Sequence, residues 1–301
     1  LLLSGTVVQL TKEYFEKEYE ITGLDLAANY SGEREPDDTM TYYQCNMSQE
    51  SAEMAAIFTG VQPDVILHCA GSANVGASVV NPMADLDGNL HSLYQLLLAL
   101  KSFEKRPEII FLSSAGVYGN PRQLPVRESD VAAPMSPYGL HKHMGEELCE
   151  YYNRIHGYHI RSIRIFSAYG NGLRKQLLWD IYQKYQNTGR IELFGTGEET
   201  RDFIHVSDIM RAIDLILSYD GPETVINVAN GEEVSIRELA EIYAEKLGAP
   251  QNIVSFNGAV KEGDPRNWRA DISLLRKLGY EKQMELSDGI AAYVDWAKAQ
   301  D

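Results

Sequence analysis

EIIFLSS at residues 108–114, YGLHKHMGEELCEYYNRIHG at 138–157 and HIRSIRIFSAYG at 159–170 read as an apolar run, a helical pattern and a second apolar run. Continuous apolar strands separated by amphipathic helices suit a parallel sheet covered on both faces. Outward from this centre the alternation continues. PDVILHCAG (63–71) and NLHSLYQLLLALKSF (89–103) precede it, and LLLSG, TVVQLTKEYFEKE and YEITGLDL fill residues 1–26. The expectation is a doubly wound parallel α/β domain over residues 1–166. Beyond it the Gly-bearing loops lengthen and the strands IELFG (191–195) and TVINVAN (224–230) are short, which predicts a smaller mixed α/β domain over 167–301. RDFIHVSDIMRAIDLIL (201–217) reads as one more strand and helix, so about 203–228 is expected to return to the first domain.

The chain carries 43 acidic and 27 basic side chains in 301 residues, a formal charge of −16. That balance argues against nucleic acid as a partner, which needs a clustered positive face. No apolar run approaches the roughly 18 residues of a membrane span, and no secretory signal pattern opens the sequence, so the expected compartment is the cytoplasm. Cys45, Cys69 and Cys149 are odd in number and lack metal-ligand spacing, and they are read as thiols without chemistry. No HExxH or paired CxxC pattern supports a metal.

The first chemical constellation lies near the start. LLLSG reads as a strand ending in a tight turn at Gly5, and Thr6 to Glu18 as the helix after it. Asp25 closes the next strand, where an acidic residue accepts hydrogen bonds from an adenosine ribose and repels a 2′-phosphate. Asp25 therefore favours NAD over NADP, against the alternative of a simple turn residue. A glycine-rich loop that lets backbone approach a pyrophosphate needs several residues more than Gly5 followed directly by Thr6. The reading is that the sequence skips such a loop between these two residues. The alternative is a genuine deletion, which would leave the pyrophosphate site defective.

The second constellation is Ser114 at the end of IIFLSS with Tyr138 and Lys142 of SPYGLHK. Ser136 and Pro137 read as N-cap and first helical residue, which places Tyr138 and Lys142 one turn apart on one face. An ammonium beside a phenol would pull its pKa from about 10 toward neutrality and fit it to act as a general base. A strand-end hydroxyl, Ser114, would hold the substrate oxygen. The Tyr–Lys spacing alone also fits an ordinary helix-surface pair, and the strand-end serines before VYG raise its weight. Ser113 reads as a backbone-capping or cofactor-side residue.

These pieces together resemble the extended short-chain dehydrogenase/reductases of the NAD-dependent nucleotide-sugar epimerase/dehydratase family. The matching segments are GLDL with Asp25, HCAGSANVGASVVNP (68–82), DGN with Asn89, FLSSAGVYG (111–119), SPYGLHK, RIFSAYG (164–170), GTGEETRDFIHVSD (195–208), NVANGEEVSIREL (227–239) and GDPRNWRAD (263–271). They run in family order over nearly the whole chain, and AGSANVGASV resembles the corresponding stretch of UDP-galactose 4-epimerases. The resemblance implies a Rossmann-type domain with a C-terminal substrate domain, NAD as cofactor and a nucleotide-diphosphate sugar as substrate. By position it implies that Asp25 binds the adenosine ribose and that Asn46 and Met47 border the adenine. Ala70 and Gly71 would pass behind the pyrophosphate and ribose with Asn89 nearby, Tyr138 and Lys142 would flank the nicotinamide ribose, and Phe166 would lie near the carboxamide. Arg201 would hold the diphosphate through its bidentate fork, and Phe194 would line the nucleobase pocket unless it is core.

The implied reaction is 4-epimerisation through a transient 4-keto sugar, with Tyr138 as base, Ser114 steadying the oxygen and no net consumption of NAD. Ala115 and Gly116 stand where the 4,6-dehydratases carry Asp and Glu, so dehydration is disfavoured. Ser167 replaces an Asn common beside the diphosphate, and Lys261 replaces an Arg, a point charge in place of a fork. Arg174 and Lys175 are either further phosphate contacts or surface charge. His141 and His143 read as exposed or interface residues, with a second catalytic base as the alternative, and His205 as structural. The two-sided helices 89–103 and 142–157 are, in this family, a four-helix homodimer interface. A nucleotide 4-keto-6-deoxysugar reductase using NAD(P)H and a non-catalytic dinucleotide-binding sensor are the alternative functions.

Overall fold

The computed structural model describes residues 14–15, 18–25, 41–49, 51–250, 252–259, 263 and 265–300. Strands β1 (Thr22–Asp25) and β2 (Thr41–Gln44) pair in parallel. Strands β3 (Val65–His68), β4 (Glu108–Ser114) and β5 (His159–Ile165) are joined by β10 (Val225–Val228) in a parallel sheet of order β10-β5-β4-β3. Of the early helix expected up to Glu18, Tyr14 and Phe15 are helical and Glu18 lies in a turn. Gly5 and Thr6, and with them the question of the glycine-rich loop, lie outside the described residues.

The sheet is buried on both faces, which is why its strands read as unbroken apolar runs. Successive residues of β4 point to opposite sides. Ile109 and Phe111 join Met54 and Phe58 of α1 (Ser51–Val61) and Leu93, Leu96 and Leu97 of the helix that ends at Ala99. Ile110 and Leu112 join Ile163 and Ile226 against Ile209, Ile213 and Ile216 of the helix at 206–217. Fully burying such a side chain contributes about 1.5–3 kcal/mol, so the alternation along one strand ties both helix layers to the sheet. Ala270, Ile272, Leu275 and Tyr280 pack into this same core, so a late segment of the chain also closes on the parallel sheet.

Between β3 and β4 the chain makes α2 (Val75–Val80), α3 (Pro82–Leu86), a π-helical turn (Asp87–His91) and α4 (Ser92–Ala99). Asn74 and Asn81 cap the two short helices by accepting from Ala77 N and Ala84 N at 2.9 and 3.1 Å. Helix α5 (Pro137–His156) starts at Ser136, whose hydroxyl accepts from Gly139 N at 3.2 Å, with Pro137 in the first turn. It stops at Gly157, left-handed at φ 63°, a conformation favoured by glycine.

The C-terminal part has its own core. Three short pairs carry it: β6 (Ser167–Tyr169) with β9 (Phe203–His205), β7 (Ile191–Leu193) with β12 (Val254–Phe256), and β8 (Thr200–Arg201) with β11 (Val234–Ser235). Helices α6 (Gln176–Thr188), α8 (Ile236–Leu247) and α10 (Leu286–Lys298) pack Ile181, Tyr182, Leu239, Tyr243, Ile290 and Tyr293 together. Helix α7 (Val206–Leu217) lies against the first sheet, and α9 (Ser273–Lys277) contacts β10. A Rossmann-type parallel core with a smaller mixed α/β region is thus the observed architecture. Among the described residues no helix is long and apolar enough to cross a membrane, and no group of His, Cys, Asp and Glu could hold a metal. None of the three cysteines is in a disulfide, and burial pushes the Cys149 thiol up to about 12, which leaves it inert.

Candidate active site

Strand β4 ends at Ser114, where the backbone leaves the sheet for a 3₁₀ turn over Ala115–Tyr118. The Ser114 hydroxyl accepts from Gly116 N at 3.1 Å and lies near enough to the Tyr138 phenol to favour its ionised form. Tyr138 is reached from the first turn of α5, and its own amide donates to Ser78 Oγ at 3.1 Å, which fixes that turn against α2. Gly116 leaves the space between the two hydroxyls open: a Cβ there would lie 3.4 Å from Ser114 Oγ and 3.6 Å from Tyr138 Cε1. Lys142 follows one turn later, buried, with Nζ donating to the Leu112 carbonyl at 2.7 Å and 4.9 Å from the Phe111 ring centre. Sequence reasoning therefore placed these three residues in one site.

The electrostatics differ from the expectation. Burial pushes the Tyr138 phenol up to about 12; the nearby Ser114 hydroxyl works against this and the Asp85 carboxylate adds to it. Burial likewise lowers Lys142 to about 8, with nearby Cys69 and Asp85 opposing. The ammonium is spent on a backbone carbonyl at the strand end, so in the protein alone it does not pull the phenol toward neutrality. His68, at the end of β3, is fully buried and held near 3, hence neutral.

The expected cofactor residues ring the carboxyl edge of the sheet. Asp25 is the last residue of β1 and half-buried, and its carbonyl accepts from Cys45 N at 2.7 Å. Asn46 Oδ1 accepts from Ser48 N and Ser48 Oγ, shaping the turn after β2, whereas the Met47 side chain is buried with Leu24, Met54 and Phe58. Ala70 and Gly71 follow β3, and Gly71 at φ +104° has no room for a Cβ, which would meet Asn89 Oδ1 at 2.2 Å. Asn89 stands in the π turn, fully buried, and its Oδ1 has no hydrogen-bond partner among the described residues. Phe166 is buried with its ring centre 6.2 Å from Tyr118 and 6.0 Å from Trp268.

Ser113 serves a network that sequence reasoning missed. Its hydroxyl donates to Glu146 Oε1 at 2.5 Å, and Arg164 holds both oxygens of that carboxylate at 2.9 and 2.7 Å. Arg164 also lies over the Tyr118 ring, whose hydroxyl donates to Asn227 at 2.7 Å. The available signal was the second arginine of the strand HIRSIRI together with a glutamate four residues after Lys142.

On the substrate side, Ser167 follows Phe166 into β6 and donates its amide to the Asp202 carbonyl at 2.9 Å. Arg201 is half-buried, donates to the Thr200 carbonyl at 2.8 Å and lies 5.4 Å from the Trp268 ring centre. Trp268 in turn donates to the Gly119 carbonyl at 2.9 Å, tying this arm to the loop after Ser114. Phe194 is 54% exposed and is not core. Lys261 lies outside the described residues. Arg174 bonds the Gln300 side chain near the surface, and Lys175 is the exposed N-cap of α6. His205 caps α7 by accepting from Ser207 N, a structural role as read. His141 corrects the sequence reading: it is neither exposed nor left for an interface but buried against Asp85, because the opposite flank of α5 is covered by α3.

Comparison with known proteins agrees with this geometry. Residues 8–229 match the model of the NAD dependent epimerase/dehydratase family. A putative UDP-glucose 4-epimerase of Methanocaldococcus jannaschii is 32% identical over 246 residues, 78% of this chain and 77% of that protein. In fold the chain is similar to the UDP-glucose 4-epimerase of Thermotoga maritima solved with UDP-glucose, with a TM-score of 0.90 at 24% identity over 99% of this chain and 98% of that one. It is also similar to the UDP-glucuronic acid 4-epimerase of Bacillus cereus solved with UDP-glucuronic acid and NAD, with a TM-score of 0.88 at 24% identity over 100% and 99% of the two chains. With a family model matched over most of its length and the strand-end serine, tyrosine and lysine assembled at the edge of a parallel sheet, the chain belongs to the NAD dependent epimerase/dehydratase family.

Proposed function

We propose that the protein is an NAD-dependent nucleotide-sugar 4-epimerase acting through a transient 4-keto sugar. The observation that carries this reading is the gathering of Ser114 and Tyr138 around Gly116, with Lys142 one turn along, at the carboxyl edge of the sheet. Relatives named for 4-epimerisation of UDP-sugars, one of them solved with NAD, support it.

The residues present fit a dinucleotide. Half-buried Asp25 at the end of a parallel strand, a floor at Gly71 that admits no side chain, and a buried Asn89 Oδ1 without a hydrogen-bond partner among the described residues suit such a group. Asp25 takes the adenosine ribose, Asn46 and Met47 border the adenine, and Ala70, Gly71 and Asn89 lie behind the pyrophosphate and ribose. Phe166 and Ser113 back the nicotinamide end, Ser113 through Glu146. Gly5 is assigned to the pyrophosphate turn from sequence alone. When bound, NAD⁺ would supply a reversible hydride acceptor.

Ser114 fixes the sugar 4-oxygen and Tyr138 accepts its proton, then returns it when the keto sugar is reduced from its other face. Lys142 lowers the cost of the phenolate once its ammonium is shared with a ribose hydroxyl in place of the Leu112 carbonyl alone. Arg201 grips the diphosphate with its planar fork, braced on Trp268, and Ser167 and Lys261 complete that grip. The exposed ring of Phe194 stacks on the nucleobase.

The working unit is a dinucleotide domain of residues 1–166 with 203–228 returning, and a sugar-nucleotide domain over 167–301. It acts as a homodimer in the cytoplasm, where doubly charged nucleotide sugars are held. Exposed Met83, Tyr94 and Leu98 beside Leu140, Met144, Tyr151 and Ile155 form an apolar stripe along neighbouring helices, which suits a four-helix contact. The deciding experiment supplies UDP-glucose, UDP-galactose and UDP-glucuronate with catalytic NAD. Epimer formation without net absorbance change at the reduced nicotinamide band is expected. Turnover of a 4-keto-6-deoxysugar nucleotide with stoichiometric loss of NAD(P)H would replace this reading with a reductase.

A further inference from the structure

His141 lies three residues after Tyr138 and is 7% exposed, and its Nδ1 stands 2.6 Å from Asp85 Oδ2 of α3. The other carboxylate oxygen accepts from Asn89 Nδ2 at 3.0 Å, and the same amide donates to the Asp85 carbonyl at 3.2 Å. Asn89 Oδ1 faces Gly71. A line of buried polar contacts thus runs from the cofactor floor through Asn89 and Asp85 to the catalytic turn of α5.

A buried carboxylate without a counter-charge is expensive, and it also opposes the appearance of a second anion nearby. Asp85 is the anion whose field reaches the Tyr138 phenol. The other charged or titratable groups on elements packed around α5 are engaged elsewhere. Asp87 and His91 pair with each other at the surface, Glu146 is held by Arg164 and Ser113 with His143 at 3.6 Å, and Lys142 bonds the Leu112 carbonyl. Tyr118 bonds Asn227, His68 is neutral, Arg161 pairs with Glu108 at the far end of the sheet, and α2 carries no titratable side chain.

We propose that His141 is a positioning residue that works as an imidazolium: it neutralises Asp85, so that the carboxylate ties Asn89 and α3 to the catalytic helix without opposing loss of the Tyr138 proton. This rests on Tyr138 being the proton acceptor in the epimerisation proposed above. His141→Gln keeps a hydrogen-bond donor but no charge and leaves Asp85 uncompensated. Asp85→Asn removes the anion and keeps the shape.

The test measures the pH dependence of kcat for UDP-glucose and UDP-glucuronate epimerisation, together with the ¹⁵N imidazole spectrum of the NAD-loaded protein. The acidic limb of kcat is expected to move up by about one pH unit in His141→Gln, a loss of about tenfold at pH 7, and to stay near the wild-type position in Asp85→Asn, where no anion is left to compensate. A shift that disappears when the anion is removed is a signature that a packing role cannot produce. The ¹⁵N spectrum, assigned by the signal missing from His141→Gln, is expected to show a cationic ring at pH 7. A neutral ring, a His141→Gln limb that stays in place, or an Asp85→Asn limb that moves up with it would overturn the proposal. The double variant Asp85→Asn/His141→Gln pairs two amides and decides the matter if a single variant does not fold: its limb must lie below that of an uncompensated carboxylate, at or under the wild-type position. If neither UDP-sugar turns over, the epimerase reading fails, while the ¹⁵N spectrum still decides the charge of the pair.

Discussion

Gly71 and Asn89 occupy one space: a Cβ built on Gly71 would lie 2.2 Å from Asn89 Oδ1 and 3.2 Å from Asn89 Cα. The φ of +104° at Gly71 adds backbone strain for any L side chain, so the contact cannot relax by rotation alone. Both residues sit where β3 meets the carboxyl edge of the sheet, the place where open α/β folds bind dinucleotides. Gly71→Ala is expected to push Asn89 aside and to weaken NAD binding by tenfold or more, at a stability cost of about 1–3 kcal/mol. Calorimetric titration with NAD checks this, and an unchanged affinity would take Gly71 out of the cofactor floor.

Tyr138→Phe removes the proton acceptor and keeps the ring that fills its pocket. Turnover is expected to fall by about 10² to 10⁴ with the KM for the nucleotide sugar changed only a few-fold, as for loss of general acid–base catalysis. Steady-state kinetics on the same UDP-sugar decide it. A variant with wild-type kcat would exclude Tyr138 from the chemistry.

Glu146 is the hub of the buried polar network behind the site, holding Ser113 and both ends of the Arg164 fork. Glu146→Ala would leave a guanidinium buried with no carboxylate, a change that costs about 3–5 kcal/mol. Urea unfolding should show that loss with the m-value unchanged. A loss under about 1 kcal/mol would mean that water or the Glu128 carbonyl, 3.1 Å from Arg164, suffices.

Leu140 and Met144 lie one turn apart on the outer face of α5, exposed beside the apolar residues of α3 and α4. A glutamate at Met144 would be buried in the proposed four-helix contact, and Met144→Glu is expected to shift the protein from dimer to monomer in light scattering. A monomeric wild-type protein at working concentration would end the dimer reading outright.

The sheet was legible because both of its faces are buried, which writes itself as runs such as EIIFLSS, and Ser114, Tyr138 and Lys142 follow from strand end and helical spacing. Their electrostatics were not legible, since the partner of Lys142 is a backbone carbonyl and backbone groups leave no mark on side-chain patterns. His141 was misread because α5 is covered on two sides, by the sheet and by α3, and one helical period cannot announce two buried flanks. Asp85 and Asp87 stand two apart in PMADLDGN, yet one is buried and the other half-exposed. Residues two apart on a helix point to opposite flanks, and the pattern alone does not say which of the two carboxylates faces α5.

Lys142 places function and stability in opposition. Burial lowers its pKa from 10.5 to about 8, so the unfolded chain binds more protons than the folded one between those values. Stability then rises with pH across that window, and at pH 7 the folded state carries the full cost of the buried ammonium, on the order of 3 kcal/mol before its bond to Leu112 is counted. Lys142→Met keeps the stem and removes the charge. The variant is expected to be more stable at pH 7 by about 1–3 kcal/mol, to lose half or more of that gain at pH 9.5, and to be nearly inactive, the pattern of a residue kept for chemistry. Urea unfolding at the two pH values, with turnover measured in parallel, tests it. A methionine variant less stable than wild type at pH 7 would show that the Leu112 bond and the Phe111 ring outweigh the desolvation of the ammonium.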